Sequence, residues 1–191
     1  MSAVTFETYE IVGKLGTGGL ADVFEAEIEG FDENVAVKVL RESERGGAFV
    51  RRFLREGRLL QRLQHPALPK CYHVSGEEGR PHILLEILRG QTLSEKIKAD
   101  GPLPHDLVHR IAATTLDVLD FLHSHGVVHR DVKSGNIFVE NTGRIILMDL
   151  GLAGDPVDPL TTTLGDVMGT FAYMAPEQIA GAEMDHRADL Y

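Results

Sequence analysis

His129-Arg130-Asp131-Val132-Lys133-Ser134-Gly135-Asn136 sets a carboxylate, an ammonium and a carboxamide at fixed offsets on one short stretch. Such a set suits the movement of a phosphoryl group. A hydroxyl nucleophile needs an acceptor for its proton, the migrating phosphate needs a nearby cation, and a magnesium ion needs a neutral oxygen ligand beside an anionic one. Asp131, Lys133 and Asn136 supply the first three. Asp149, thirteen residues beyond Asn136, supplies the fourth, behind an apolar run (Ile145, Ile146, Leu147) that reads as a buried strand delivering it.

A chain of 191 residues with 43% hydrophobic content can bury a sizeable core, as one domain or two small lobes. Its one cysteine, Cys71, excludes an internal disulfide framework and suits a reducing compartment, so the cytoplasm is the expected location. As a lone sulfur in Lys70-Cys71-Tyr72 it reads as packing rather than chemistry. The first residues lack the basic start and apolar run of a signal peptide, and no stretch approaches membrane-spanning length. A net charge of -10 argues against nonspecific binding to nucleic acid or anionic lipid. The acidity is uneven, because residues 151–191 hold seven Asp or Glu against one Arg. That stretch reads either as a solvated acidic face or as an attractant for basic peptide substrates.

Short β-type runs dominate the first third: Tyr9 to Leu15, Ala21 to Glu27 and Asn34 to Leu40, which suggest a small antiparallel sheet. One helix is expected from Ala48 to Leu63, with Phe49, Phe53, Leu60 and Leu63 near helical spacing and a stop at His65-Pro66. Cys71 to Ser75 and His82 to Ile87 fit two more strands. Thr92-Leu93-Ser94-Glu95 then has the form of a capping box opening a short helix, and a second lobe begins there. Val108, Ile111, Ala112, Thr115, Leu119 and Leu122 trace one face of a long helix, expected to be the buried spine of that lobe and to end near His125-Gly126. Ile137 to Val139 and Arg144 to Met148 read as a hairpin beneath the polar loop. His123, His125 and His129 lack a partnering cysteine pair and a fourth ligand at suitable spacing, so a zinc reading is set aside.

Gly16-Thr17-Gly18-Gly19-Leu20-Ala21-Asp22-Val23 lies between two expected strands, where glycines let the backbone fold over phosphates and offer N–H donors to them. Rossmann and P-loop motifs lead instead from a strand into a helix. Val35-Ala36-Val37-Lys38 places a lysine on an apolar strand, costly to bury without an anionic partner. Glu56 on the following helix is the candidate, with Asp32, Glu33 and Glu42 as surface alternatives.

With Gly169-Thr170-Phe171-Ala172-Tyr173-Met174-Ala175-Pro176-Glu177 added, these motifs resemble the protein kinases from Tyr9 to Tyr191, and most closely their bacterial serine/threonine branch. The phosphoryl-transfer mechanism of that family is a known template rather than something these spacings establish. The resemblance implies an α+β, two-lobed kinase-like fold: an extension over residues 1–8, a β-sheet N-lobe with one helix over 9–86, and a mainly helical, incomplete C-lobe over 87–191 that ends within its central helix. It implies ATP and Mg2+ as cofactors. Asp131 would be the catalytic base and Lys133 its phosphate-neutralising neighbour, with Asn136 and Asp149 on the metal. Lys38, oriented by Glu56, would meet the α and β phosphates under the glycine hairpin. The adenine would meet backbone near Glu86 and Leu88, between Leu15, Val23, Ala36 and Phe138. A family position held by a third glycine is Ala21 here, small enough to leave room.

By the same resemblance, Lys133 and the Gly169 to Glu177 run favour Ser and Thr hydroxyls of proteins as substrates, with Thr170 in substrate positioning. Arg130 marks kinases whose activation loop is ordered by its own phosphorylation, with Thr161 and Thr163 preferred as acceptors and a transient dimer as the route. Asp189 would brace the catalytic loop. The expected function is a serine/threonine protein kinase; the alternative is a truncated pseudokinase that binds nucleotide or partners without turnover. On either reading Lys38, Glu56, Asp131, Asn136 and Asp149 are expected to converge on one cleft.

Overall fold

A computed structural model of the chain describes residues 9–18, 20–41, 47–76, 80–150 and 171–191. These divide into two compact units, one holding the described residues up to Gln64 together with Lys70–Leu88, the other His65–Pro69 together with the described residues from Arg89 to Tyr191.

The first unit is a five-stranded antiparallel sheet in the order β1-β2-β3-β5-β4, built from β1 (Tyr9–Thr17), β2 (Ala21–Ile28), β3 (Val35–Leu40), β4 (Cys71–Ser75) and β5 (His82–Leu85). Side chains alternate across it with a period of two. Val35, Val37 and Val39 join Ala26, Ile28 and Leu84 in one buried cluster. Leu40, with Ala21 and Ile83, joins Phe53 and Leu54 of helix α1 (Gly47–Arg62) in the other. Lys38 shares the parity of Leu40 and so belongs to the face that α1 covers. Gly57 lets the helix come close: a Cβ there would meet Val74 Cγ2 at 2.6 Å and Ile83 Cγ1 at 3.0 Å. Packing at that distance outweighs the roughly 1 kcal/mol that a mid-helix glycine costs relative to alanine.

Two boundaries of the sheet differ from expectation by two residues. β1 continues through Thr17, pairing Gly16 with Val23 and Thr17 with Asp22, so only residues 18–20 lie between the strands. The register shifts between Lys14 and Gly16, a bulge that absorbs the extra residue without ending the ladder. β5 stops at Leu85 rather than Ile87, because Glu86 turns to Lys70: its N–H donates to the Lys70 carbonyl at 2.9 Å and its Oε1 accepts from the Lys70 N–H at 2.7 Å.

Cys71 packs in the cluster beneath α1 and its thiol donates to the His73 carbonyl. Burial pushes that thiol up from 9.0 to about 12. Folding therefore favours the neutral thiol. The stability it confers is whole below pH 9.0, its unfolded value, and is lost as pH rises toward about 12. Iodoacetamide at neutral pH is expected to label native Cys71 on the order of a thousandfold more slowly than free cysteine, from the smaller thiolate fraction. Labelling at the free-cysteine rate would contradict this.

The second unit contains β6 (Gly90–Thr92), α2 (Leu93–Asp100), α3 (His105–Ser124), β7 (Ile137–Glu140), β8 (Ile145–Leu147) and the short helix α4 (Pro176–Ile179). The capping box is formed as the sequence suggested: Thr92 Oγ1 accepts from the Glu95 N–H, and Glu95 Oε2 accepts from the Thr92 N–H at 2.8 Å. Hydrogen bonds donated by the Thr92 N–H and hydroxyl hold the Glu95 carboxyl below its ordinary value. The expected hairpin is β7 and β8, but β6 adds a third strand that sequence reading missed; three residues are too few to show alternation.

Helix α3 departs from expectation in the extent of its buried face. Ile111, Val118, Leu119 and Leu122 are buried, whereas Val108 is 47% exposed and Ala112 is exposed as well. Apolar spacing sets the direction a helix face points, and burial needs a neighbour to cover it. Asp185 to Tyr191, which the resemblance made the start of the C-lobe's central helix, forms a 3-10 turn over His186–Leu190. Asp185 caps it, and the hydrogen bonds from the Arg187 guanidinium hold the Asp185 carboxyl down at about 2. Among the described residues no helix is long and apolar enough to cross a membrane.

Candidate active site

In the first unit, Lys38 Nζ lies 2.7 Å from Glu56 Oε1 and 2.9 Å from Oε2, with the Glu56 side chain almost fully enclosed. An ammonium gripped by both carboxylate oxygens is aimed rather than mobile. Val23 pairs with Lys38 across β2 and β3, and Ala36 is two residues along the same face. These members of the expected nucleotide set therefore stand together. Leu15 is 41% exposed on β1. Leu20 packs on the α1 cluster and Ala21 is buried within it. Asp22 is bridged by Lys14 at 3.1 Å and by Arg41 at 3.6 Å, and the hydrogen bond from Lys14 is the main cause holding its carboxyl below the ordinary value. Arg41 also donates to the Gly18 carbonyl, tying the hairpin tip to the end of β3. Because the Glu86 N–H is spent on Lys70, any backbone contact it makes with a base falls to its carbonyl.

In the second unit, the loop after α3 gathers Lys133 and Asn136 around the Asp131 carboxylate. Lys133 Nζ lies 2.9 Å from Asp131 Oδ2. Asn136 Nδ2 donates to the same oxygen and to the Asp131 carbonyl, each at 2.8 Å. With its nitrogen so occupied, the Asn136 carboxamide presents oxygen as its remaining pole, the hard ligand that magnesium takes. The Met148 N–H donates to the Asn136 carbonyl at 2.7 Å, so Asp149 follows a residue stitched to that loop. Asp149 is an exposed residue two positions beyond the end of the buried strand β8. The donor set is thus oxygen from two adjacent segments and fits a magnesium ion. Phe138 is half-buried on β7, paired with Thr92 and Ile146.

The three histidines considered for zinc are otherwise engaged. His123 Nε2 lies 2.7 Å from Asp189 Oδ2, His125 Nδ1 lies 2.8 Å from the Phe121 carbonyl, and His129 Nε2 lies 3.0 Å from the Met148 carbonyl. His129 is fully buried, and its Nδ1 accepts from the Asp131 N–H at 3.2 Å. Its ring therefore links the segment carrying Asp131 to the one carrying Asp149, a role that sequence reading missed.

Arg130 and Asp149 are the two non-glycine residues described with positive φ, at 69° and 64°. Such conformations cost about 1–3 kcal/mol and persist only where surroundings hold them. At Arg130 the holders are visible. Asp189 accepts from the His129 N–H at 2.8 Å and from the Arg130 N–H at 2.7 Å, while Gln178 Nε2 donates to the Arg130 carbonyl at 2.9 Å. Gln178 also accepts from the Ala175 N–H at 3.0 Å. Asp189 was expected to brace this loop; Gln178 was not, its only signal being its place after Pro176-Glu177. Ser134 Oγ and the Tyr173 hydroxyl meet at 3.0 Å, a further link between the loop and the residues before α4. Gly19, Thr161, Thr163 and Thr170 lie outside the described residues.

Residues 9–191 match the family model of the protein kinase domain. The chain belongs to the protein kinase family. This kinase domain is 36% identical over 191 residues to the serine/threonine-protein kinase PknB of Mycobacterium leprae, spanning 97% of this chain and 31% of that protein. It is 33% identical over 184 residues to the serine/threonine-protein kinase PrkC of Bacillus subtilis, spanning 96% of this chain and 28% of that one. The crystal structure of the Mycobacterium tuberculosis PknI kinase domain aligns with a TM-score of 0.74 at 31% identity, covering 99% of this chain and 72% of that chain. The fold and the bacterial branch are thus those the motifs suggested. The kinase chain spans about a third of the length of the curated relatives it matches.

Proposed function

We propose that this chain transfers the γ-phosphoryl group of MgATP to Ser and Thr hydroxyls of proteins. The observation that carries the reading is the Asp131 carboxylate, held between Lys133 and Asn136 on a loop whose strained peptide is gripped from both sides. A substrate hydroxyl gives its proton to Asp131 as its oxygen bonds to the γ-phosphorus; the bond from that phosphorus to the bridging oxygen breaks and ADP leaves. Lys133 offsets charge on the phosphoryl oxygens in transit. Lys38, fixed by Glu56, binds the α and β phosphates. The backbone of Gly16, Thr17, Gly18 and Gly19 covers the phosphates, with Leu20, Ala21 and Asp22 shaping that hairpin. Leu15, Val23, Ala36 and Phe138 enclose the base, and Glu86 and Leu88 offer it backbone hydrogen bonds. Asn136 and Asp149 would hold magnesium, which when bound neutralises charge on the phosphates.

Thr161 and Thr163 are the chain's own proposed acceptors, reached through a transient dimer, and Thr170 positions the incoming hydroxyl. The acidity of residues 151–191 supports a preference for basic protein substrates. Incubation with Mg2+ and γ-labelled ATP is expected to label both a basic acceptor protein and the chain itself, with phosphate on residues 161–163 by mass spectrometry. MgATP should raise the melting temperature in the same preparation. Stabilisation without any transfer would overturn the enzymatic reading and leave a nucleotide-binding module.

A further inference from the structure

Gln178, half-buried on α4, has both poles of its amide engaged. Its Oε1 accepts from the Ala175 N–H at 3.0 Å, and its Nε2 donates to the Arg130 carbonyl at 2.9 Å. The first contact closes the start of α4, where Ala175 has no polar side chain and Gln178 stands at the third helical position. Such a cap takes an oxygen alone, which glutamate supplies as well as glutamine. The second contact takes a donor, and that is what an amide has and a carboxylate lacks.

The carbonyl that receives this donor belongs to the peptide unit joining Arg130 to Asp131. The N–H of the same unit, on Asp131, donates to His129 Nδ1 at 3.2 Å. With both poles held, the plane of the peptide is fixed, and with it the direction in which the Asp131 side chain leaves the backbone. His129 belongs to the same loop, whereas Gln178 holds the plane from a separate element. A further contact from the residues before α4, the Tyr173 hydroxyl with Ser134 Oγ at 3.0 Å, meets the loop on the other side of Asp131. Arg130 itself has φ of 69°, a conformation that relaxes unless it is held.

We infer that Gln178 is a positioning residue for the Asp131 carboxylate, acting through the Arg130 carbonyl rather than through the stability of α4. The inference rests on Asp131 serving as the base in phosphoryl transfer, and it makes the amide at this position a requirement of that role.

Gln178→Glu separates the two contacts, because a carboxylate still caps Ala175 but has no proton to give the Arg130 carbonyl. At about pH 8 it is expected to lower kcat about tenfold with the KM for ATP within about twofold of wild type, and Gln178→Leu, which loses both contacts, to lower kcat at least as far. Protonation restores the donor, and a carboxyl facing a carbonyl oxygen takes up its proton above its ordinary value of about 4.3. The rate of Gln178→Glu relative to wild type should therefore recover severalfold from about pH 8 to about pH 5, while that of Gln178→Leu stays flat. Taking the ratio at each pH cancels the titration of Asp131, Glu177 and His129, which all three proteins share. Amide hydrogen exchange over residues 129–136, read in the same preparations without nucleotide, should be about tenfold faster in both variants at about pH 8. A wild-type rate for Gln178→Glu at about pH 8, or a ratio that does not change with pH, would overturn the inference. Should the wild-type chain transfer no phosphate, the reading of Asp131 as base fails and exchange decides alone: faster exchange in both variants keeps Gln178 as the residue that positions the carboxylate, and unchanged exchange removes it.

Discussion

Asp131→Asn is expected to lower phosphoryl transfer by about 10²–10⁴-fold, the range that a positioned general base contributes, while nucleotide affinity stays within a few-fold of wild type. The substitution keeps the side chain's shape and removes its capacity to take a proton. It also removes the charge that faces Lys133 at 2.9 Å, and sets an amide where Asn136 now donates at 2.8 Å. Lys133 then loses its charged partner while Asn136 keeps its contact with the Asp131 carbonyl, so the loss falls on the transition state rather than on the ground-state grip of ATP. Labelled-ATP transfer and MgATP-induced melting shifts, measured side by side, separate the two. Turnover within tenfold of wild type would remove Asp131 from the role of base. A matching collapse of nucleotide stabilisation would show instead that the residue is needed for binding.

How far such residues could be read in advance depended on the range of the interaction that fixes them. Lys38 and Glu56 stand eighteen positions apart, yet the pair was legible because a lysine on an apolar strand demands an anion and the next helix offered one carboxylate. The Thr92 capping box was legible because all its partners lie within four residues. Gly57 was not: its reason is the side chains of Val74 and Ile83, which reach it across the helix-to-sheet contact. His129 and Gln178 were missed for the same cause, since a buried ring or a half-buried amide looks like any other until its acceptors on Met148 and Arg130 come alongside. The face of α3 shows the converse limit, with periodicity that located Ile111, Leu119 and Leu122 but overstated Val108.

Asp189→Ala should be the most damaging single change outside the residues of the reaction. The Asp189 side chain is wholly buried and accepts from three donors: the N–H groups of His129 and Arg130, and Nε2 of His123 at 2.7 Å. Alanine fills none of the three, and breaking one side of a buried charged contact costs about 3–5 kcal/mol. For a chain of this size that corresponds to a fall in melting temperature on the order of 10 °C. Transfer should fall as well, because the left-handed peptide at Arg130, with φ of 69°, loses its hold on one side and relaxes, carrying Asp131 with it. His123→Leu is the control. It removes one donor from the carboxylate and leaves both backbone contacts in place, so it should cost about 1–3 kcal/mol and spare most of the transfer rate. Equal losses of transfer in the two variants at a temperature where both remain folded would show that the brace acts through His123 and α3 rather than through the strained loop.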